Sequence, residues 1–209
     1  MALLRIKTIF VAFTVLFVGF SLGANAAPEA GKQAPHFIGV DSNGHILKLA
    51  DFTGIPLVLE WTNHQCPYVR KHYQSGNMQR LQRKLTDAGA KWVSIISSAP
   101  GQQGFISGDE ANLLSATRGA YANHVILDPS GEIGRAYGAK ATPHMVLIDE
   151  KGVVRYIGAI DDKPSSRISS LDGAHNYLAA AWESYEAGQQ IKVPVTKAYG
   201  CTVKYAQVE

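Results

Sequence analysis

The 209-residue sequence predicts an α/β fold: a central mixed β-sheet flanked by helices, with an N-terminal β-hairpin and a C-terminal tail. Three observations point there. Short apolar runs alternate with segments of helical spacing; two strand-like runs flank Asp41-Ser42-Asn43-Gly44; and Pro67 opens a helical pattern just beyond a core strand. Alternating strands and helices imply a mainly parallel sheet covered on both faces, with a closing hairpin as its antiparallel edge.

Before that domain stands a separate segment. Residues 1–26 carry Arg5 and Lys7, no acid, an apolar run from Ile9 to Phe20, and Ala24-Asn25-Ala26. This is the order of a secretory signal, and the run falls short of the roughly 20 residues that span a bilayer. Cleavage after Ala26 lowers the formal charge from +3 to +1. The expected product is exported, periplasmic in a Gram-negative source, with no stable membrane insertion once the leader is gone. It comprises a domain over 27–190 and a tail over 191–209.

Within the domain, His36–Val40 and His45–Leu49 form the hairpin around the turn cluster. Leu57–Trp61 is a short, mostly apolar strand suited to the middle of a sheet. The helical pattern from Pro67 runs to about Leu85, with Ser75-Gly76-Asn77 as a break. Strand Trp92–Ile96 follows, then a helix over Asp109–Gly119 with Leu113 and Leu114 as core candidates. Next come strand His124–Leu127, short helix Gly131–Tyr137, strand Met145–Ile148, a tight turn at Glu150-Lys151-Gly152, and strand Val153–Ile157. Asp161–Gly173 is polar and reads as a loop. The last helix, Ala174–Ala187, places Tyr177, Leu178, Ala181, Trp182 and Tyr185 at helical spacing.

Composition removes several function classes. Hydrophobic residues make up 46% and charged residues 18%, with both signs present, which excludes a highly charged disordered chain. Two cysteines are too few for a disulfide-built scaffold or an all-cysteine zinc site. The small net charge is no nucleic-acid footprint. Acids are scattered without a hydrolase-like pair. There is no flavin, nicotinamide or phosphate-loop motif, so no bound cofactor is expected.

The chemistry concentrates at Trp61-Thr62-Asn63-His64-Gln65-Cys66-Pro67-Tyr68-Val69-Arg70. Cys66 falls at a helix start, where unsatisfied backbone N–H groups and the positive helix end favour thiolate over thiol. His64 and Arg70 offer further positive potential. The competing reading of Cys66 is a small buried hydrophobe.

These residues resemble the thioredoxin fold and, within it, the redoxin superfamily of alkyl hydroperoxide reductase and thiol-specific antioxidant proteins. Gly31-Lys32-Gln33-Ala34-Pro35-His36-Phe37 looks like the family's opening, and Asp51-Phe52-Thr53-Gly54 like its approach to the active-site strand. Ala141-Thr142-Pro143-His144-Met145 looks like the stretch holding its cis-proline. The resemblance therefore implies a cis Thr142–Pro143 bond beside Cys66, with His64, Pro67, Thr142 and Pro143 supporting the thiol. Two departures stand out. Val69 occupies the second position of the Cys-x-x-Cys motif, and Thr62 lies four residues before Cys66 where peroxiredoxins have a Thr three before. The sequence is most similar to a divergent peroxiredoxin-like group with Asn-His-x-Cys-Pro-Tyr-Val and a terminal Gly-Cys-x-Val-Lys-Tyr, here Gly200 to Tyr205 after Thr196.

Cys201 is then the second thiol. Two readings stand: a resolving thiol that traps oxidised Cys66, or a permanent disulfide pinning the tail, worth about 4–5 kcal/mol in the chain-entropy model. The functional expectation is thiol–disulfide exchange or peroxide reduction through Cys66, with an external dithiol reductant or a disulfide protein as partner. Two alternatives remain: a copper or zinc site built from His64, Cys66 and His144, and a binding module that kept the fold without the activity. Gln102-Gln103-Gly104-Phe105, beyond strand Trp92–Ile96, is placed to cover the site.

Overall fold

The computed structural model describes residues 27–207. The expected leader, residues 1–26, lies outside the described residues. Seven strands form one twisted sheet in the order β2-β1-β5-β4-β3-β7-β8. They are β1 (Ile38–Asp41), β2 (Ile46–Lys48), β3 (Leu57–Trp61), β4 (Lys91–Ile96), β5 (His124–Leu127), β7 (His144–Ile148) and β8 (Val154–Gly158). A separate two-stranded ladder joins β6 (Ala141–Thr142) to β9 (Cys201–Thr202) in the tail. The helices are α1 (Pro67–Gln74), α2 (Asn77–Asp87), α3 (Gly108–Thr117), α4 (Glu132–Ala136) and α5 (Tyr177–Glu186).

The expected α/β architecture with a mixed sheet is present, yet the sheet is less parallel than the alternation of elements implies. Only β3–β4 and β4–β5 run parallel. The pairings β1–β2, β1–β5, β3–β7 and β7–β8 are antiparallel. Periodicity reads connections through helices, whereas β1 and β7 pair with strands distant in sequence, whose direction no local pattern sets.

Strand β3 sits inside the sheet with all five residues buried. Its period-two alternation divides the core. Leu57, Leu59 and Trp61 join Phe37, Val93, Ile95 and Tyr137 on one face. Val58 joins Val69, Met78, Leu85, Trp92, Leu178 and Trp182 on the other. Glu60 points to that second face and accepts bonds from Tyr73 Oη (2.9 Å), Gln82 Nε2 (3.2 Å), Trp92 Nε1 (2.9 Å) and Ser94 Oγ (3.1 Å). Four donors replace the water this carboxylate loses.

The helix after Cys66 breaks where Ser75-Gly76 suggests, with Gly76 at φ +70° between α1 and α2. Helix α5 begins at Tyr177, not at Ala174, because the Asn176 side chain caps it by accepting from Ala179 N at 2.8 Å. Leu178, Ala181 and Trp182 face the core as the spacing predicts. Leu113 does not; it is 66% exposed. The Ser107–Glu110 capping box fixes where α3 starts, and the resulting phase turns Ala111 inward instead. No helix of the described residues is long and apolar enough to cross a membrane.

Candidate functional site

The turn between β3 and α1 is built by Asn63. Its Oδ1 accepts from Gln65 N at 2.9 Å, and its carbonyl accepts from Cys66 N at 3.0 Å. Its Nδ2 donates to Gln103 O at 3.2 Å, which draws the 102–105 loop over the turn as expected. Gly104, at φ +87°, has no room for a side chain there, since a Cβ would stand 2.5 Å from the Asn63 amide. Asn63 escaped the sequence reading; Asn two residues before Gln65 in a post-strand turn is the signal that would have found it.

Cys66 is the N-cap residue of α1, with Pro67 at the first helical position. Its carbonyl accepts the first helical bond from Arg70 N at 2.9 Å. The side chain is 0% exposed, and Sγ lies 3.3 Å from Thr142 O. Thr142–Pro143 is cis, as the resemblance implies. Thr142 also pairs with Cys201 in the β6–β9 ladder, which brings the second cysteine beside the first.

Their surroundings shift the two thiols in opposite directions. Burial works against ionising Cys66, but it is outweighed by hydrogen bonding with the Cys201 side chain, with Thr142, and from the backbone of Val69 and Cys201, so its pKa falls below the ordinary thiol value. Burial, the bond to Cys66 and the Cys66 charge push Cys201 up to about 12, against a small opposing effect of Lys204. The arrangement lowers the Cys66 pKa and raises that of Cys201, which favours Cys66 as the thiol that ionises first.

The remaining expected residues divide. Pro67, Thr142 and Pro143 stand at the thiol. His64 and Arg70 are not among the groups that lower the Cys66 pKa. Half-buried His64 is held below its usual pKa by burial and then by the Arg118 charge, against Glu110, so its electrostatic neighbours lie elsewhere; Arg70 is exposed. His144 begins β7 opposite Trp61, with ring centroids 5.8 Å apart. Among the described residues, no three His, Cys, Asp or Glu side chains gather in metal-holding geometry, so the set His64, Cys66 and His144 is not assembled. Strand pairing aligns His144 with Trp61, while the 62–66 turn carries His64 away toward Arg118.

The tail is a strap docked along the domain by hydrogen bonds. Upstream of Cys201, Thr196 Oγ1 accepts from Ala159 N at 2.8 Å and bonds Tyr156 Oη at 2.6 Å. Tyr199 Oη donates to Asp161 Oδ1 and accepts from Lys71 Nζ at 3.2 Å. Downstream, Ala99 N donates to Lys204 O at 2.8 Å, Tyr205 Oη donates to Ala139 O at 2.7 Å, and Arg135 lies 4.4 Å over the Tyr205 ring. Gly200 makes the close approach possible. It has φ +135°, and a Cβ would stand 1.9 Å from Thr142 O. Gly200→Ala is expected to lift the strap and slow Cys66–Cys201 bond formation by roughly tenfold or more, from about 1–3 kcal/mol of strain. Timed alkylation of free thiols during oxidation measures this; an unchanged rate would contradict the docking account.

Two buried histidines set the acid limit of the fold. Burial drives His144 to about 4, and burial with the Lys71 charge drives His72 to about 3. Neither ring nitrogen of His144, nor Nε2 of His72, has a hydrogen-bond partner among the described residues. His72 faces Asp161 Oδ2 at 3.7 Å and bonds Asn77 through Nδ1 at 2.8 Å. With folded pKa values below the unfolded one near 6.5, stability is full above about pH 6.5 and declines as pH falls toward 4 and then 3. His144 alone contributes on the order of 3 kcal/mol to that loss. Urea titrations at pH 7 and pH 4 check it; equal unfolding free energies would refute it.

Comparison with known proteins follows this geometry. Thiol-disulfide oxidoreductase ResA from Bacillus thuringiensis subsp. konkukian is 29% identical over 131 residues, covering 60% of this chain and 67% of that one. A hypothetical protein from Sinorhizobium meliloti 1021 superposes with TM-score 0.73 at 21% identity, over 88% of this chain and 98% of that one. A conserved protein from Geobacillus kaustophilus superposes with TM-score 0.74 at 22% identity, over 87% and 94%. These two structures share the fold. The Redoxin family model matches residues 29–174, from the lead-in through the thiol turn and the cis-proline, and the chain belongs to the Redoxin family.

Proposed function

We propose that this protein is an exported thiol–disulfide oxidoreductase that cycles Cys66 and Cys201 between dithiol and disulfide. The carrying observation is the pairing of Thr142 with Cys201, which sets Cys201 beside a Cys66 of lowered pKa at a helix N-terminus. Cys66 attacks a sulfur of the incoming disulfide and expels one thiolate. Cys201 then attacks Cys66, expels the second, and leaves the intramolecular bond. An external dithiol restores the pair. The resemblance to a thiol-disulfide oxidoreductase over 131 residues supports the reaction class. The leader pattern in residues 1–26 supports an oxidising compartment.

The strap is anchored by hydrogen bonds on both sides of Cys201, so its docking does not depend on a bond between the sulfurs, which supports a redox pair over a permanent staple. Hydroperoxide reduction is the second reading, favoured by the complete burial of Cys66, which suits a small oxidant at that sulfur. There Cys66 takes one peroxide oxygen as a sulfenic acid, the O–O bond breaks and the other oxygen leaves as alcohol or water, and Cys201 condenses with the sulfenic acid, releasing water. Turnover with dithiothreitol as donor, against oxidised glutathione and against hydrogen peroxide, tests both. The expected result is catalysis of at least one reaction, slowed in Cys201→Ser, where dithiothreitol alone must resolve the oxidised Cys66. Consumption at the protein-free rate in both would refute the proposal.

A further inference from the structure

Helix α1 starts beyond Cys66 and turns one face toward the strap. Tyr68, Lys71 and His72 stand on it, at the i, i+3, i+4 spacing of a single helical face. The Tyr68 and Tyr199 rings meet edge to face with centroids 5.9 Å apart, and Lys71 Nζ lies 5.3 Å over the Tyr199 ring. Asp161, 2% exposed, faces both the helix and the strap. The domain fixes this residue without help from the strap. It bridges Asn176 in an antiparallel pair, and its Oδ1 accepts from Lys163 N at 2.8 Å.

The two oxygens of Asp161 face different segments. Oδ1 also accepts from Tyr199 Oη, two residues ahead of Cys201. Oδ2 faces the helix, with Lys71 Nζ and His72 Nε2 each 3.7 Å away. Neither Oδ2 nor His72 Nε2 has a hydrogen-bond partner among the described residues. Asn77 Nδ2 donates to His72 Nδ1 at 2.8 Å, so the neutral ring carries its proton on Nε2, toward that oxygen. One buried carboxylate thus meets a cation and an N–H from the helix and a hydroxyl from the strap.

Resting on the reading of Cys66 and Cys201 as a redox pair, we propose that Asp161 is a positioning residue for that pair. Oδ2 holds the helix that begins at Cys66, Oδ1 holds the strap just ahead of Cys201, and the carboxylate sets the effective concentration of one thiol at the other. Closing the disulfide is an intramolecular step, and its favourability follows how well the two sulfurs are held together beforehand. Loosening either hold lets the strap sample positions away from Cys66 and lowers that concentration.

The test equilibrates the wild-type protein and its variants with reduced and oxidised glutathione. Oxidised glutathione takes two electrons and two protons from the pair and becomes two molecules of reduced glutathione, so the equilibrium constant reports the effective concentration. Tyr199→Phe removes the hydroxyl and keeps the ring that meets Tyr68 and Lys71. Asp161→Asn removes the charge that faces Lys71 and His72. Each is expected to lower the constant by roughly tenfold, about 1.4 kcal/mol, with urea titration confirming that the variant is folded. Ile126→Val, fully buried in β5 within the core on the other face of the sheet, costs stability through packing alone and is expected to keep the wild-type constant. A wild-type constant in either folded variant would overturn the proposal, as would an equal fall in Ile126→Val; the redox pair stands in both cases. Should Asp161→Asn fail to fold, Tyr199→Phe decides. A wild-type protein that forms no internal disulfide would overturn both readings.

Discussion

Cys66→Ser is expected to lower turnover with disulfide and peroxide substrates by about a thousandfold or more, because a serine hydroxyl ionises far less readily than a thiol of lowered pKa and no other nucleophile stands in the turn. The fold should survive. Serine keeps nearly the same volume, and its hydroxyl can donate to Thr142 O, which already lies 3.3 Å from the sulfur. Steady-state rates alongside thermal unfolding separate the two effects. Full turnover of the variant with both substrates would remove Cys66 from the mechanism. The companion substitution Cys201→Ala removes the hydrogen bond that most lowers the Cys66 pKa. It is expected to raise the pH midpoint of thiolate absorbance; an unchanged midpoint would contradict the electrostatic account.

The largest stability effect is expected at Lys71→Met. Lys71 is 1% exposed, and its Nζ donates to Lys163 O at 3.1 Å and to Tyr199 Oη at 3.2 Å, with Asp161 Oδ2 3.7 Å away. Removing the cation leaves the 2%-exposed Asp161 carboxylate buried without its partner, a situation that costs about 3–5 kcal/mol. Tyr199, two residues before Cys201, loses one of its two bonds at the same time, so disulfide formation should slow as well. Urea titration measures the first consequence and timed thiol alkylation the second. Adding Asp161→Asn should recover part of the stability by removing the unpaired charge. A loss below about 1 kcal/mol for Lys71→Met would show that the cluster is not the buried ion pair described.

What the sequence made legible was local. The turn at Asp41–Gly44, the break at Gly76, Pro67 at a helix start and Cys66 ahead of it are set by backbone preferences within a few residues. The cis bond at Thr142–Pro143 came from the family resemblance, and the structure places it against Cys66 as that resemblance implies. Long-range placement was hidden. Lys71 and Tyr199 are 128 positions apart, and Asp161 sits in a polar stretch that reads as an ordinary loop. Nothing near Lys71 marks it as buried, since a lysine in an amphipathic helix normally faces solvent. The docked strap was hidden for the same reason: its anchors at Ala99, Arg135, Ala139 and Ala159 belong to three different segments of the domain. Leu113 misled because hydrophobicity was read without the capping box that sets helix phase.

The central claim is that Cys66 and Cys201 form and break one bond as the protein works. The most direct measurement equilibrates the protein across a series of reduced-to-oxidised glutathione ratios, quenches with acid, and maps disulfides by peptide mass. The account predicts a single reversible transition between two free thiols and a Cys66–Cys201 bond, with the stabilised Cys66 thiolate favouring the reduced form. A bond that persists at every ratio, or two cysteines that never pair, would contradict it.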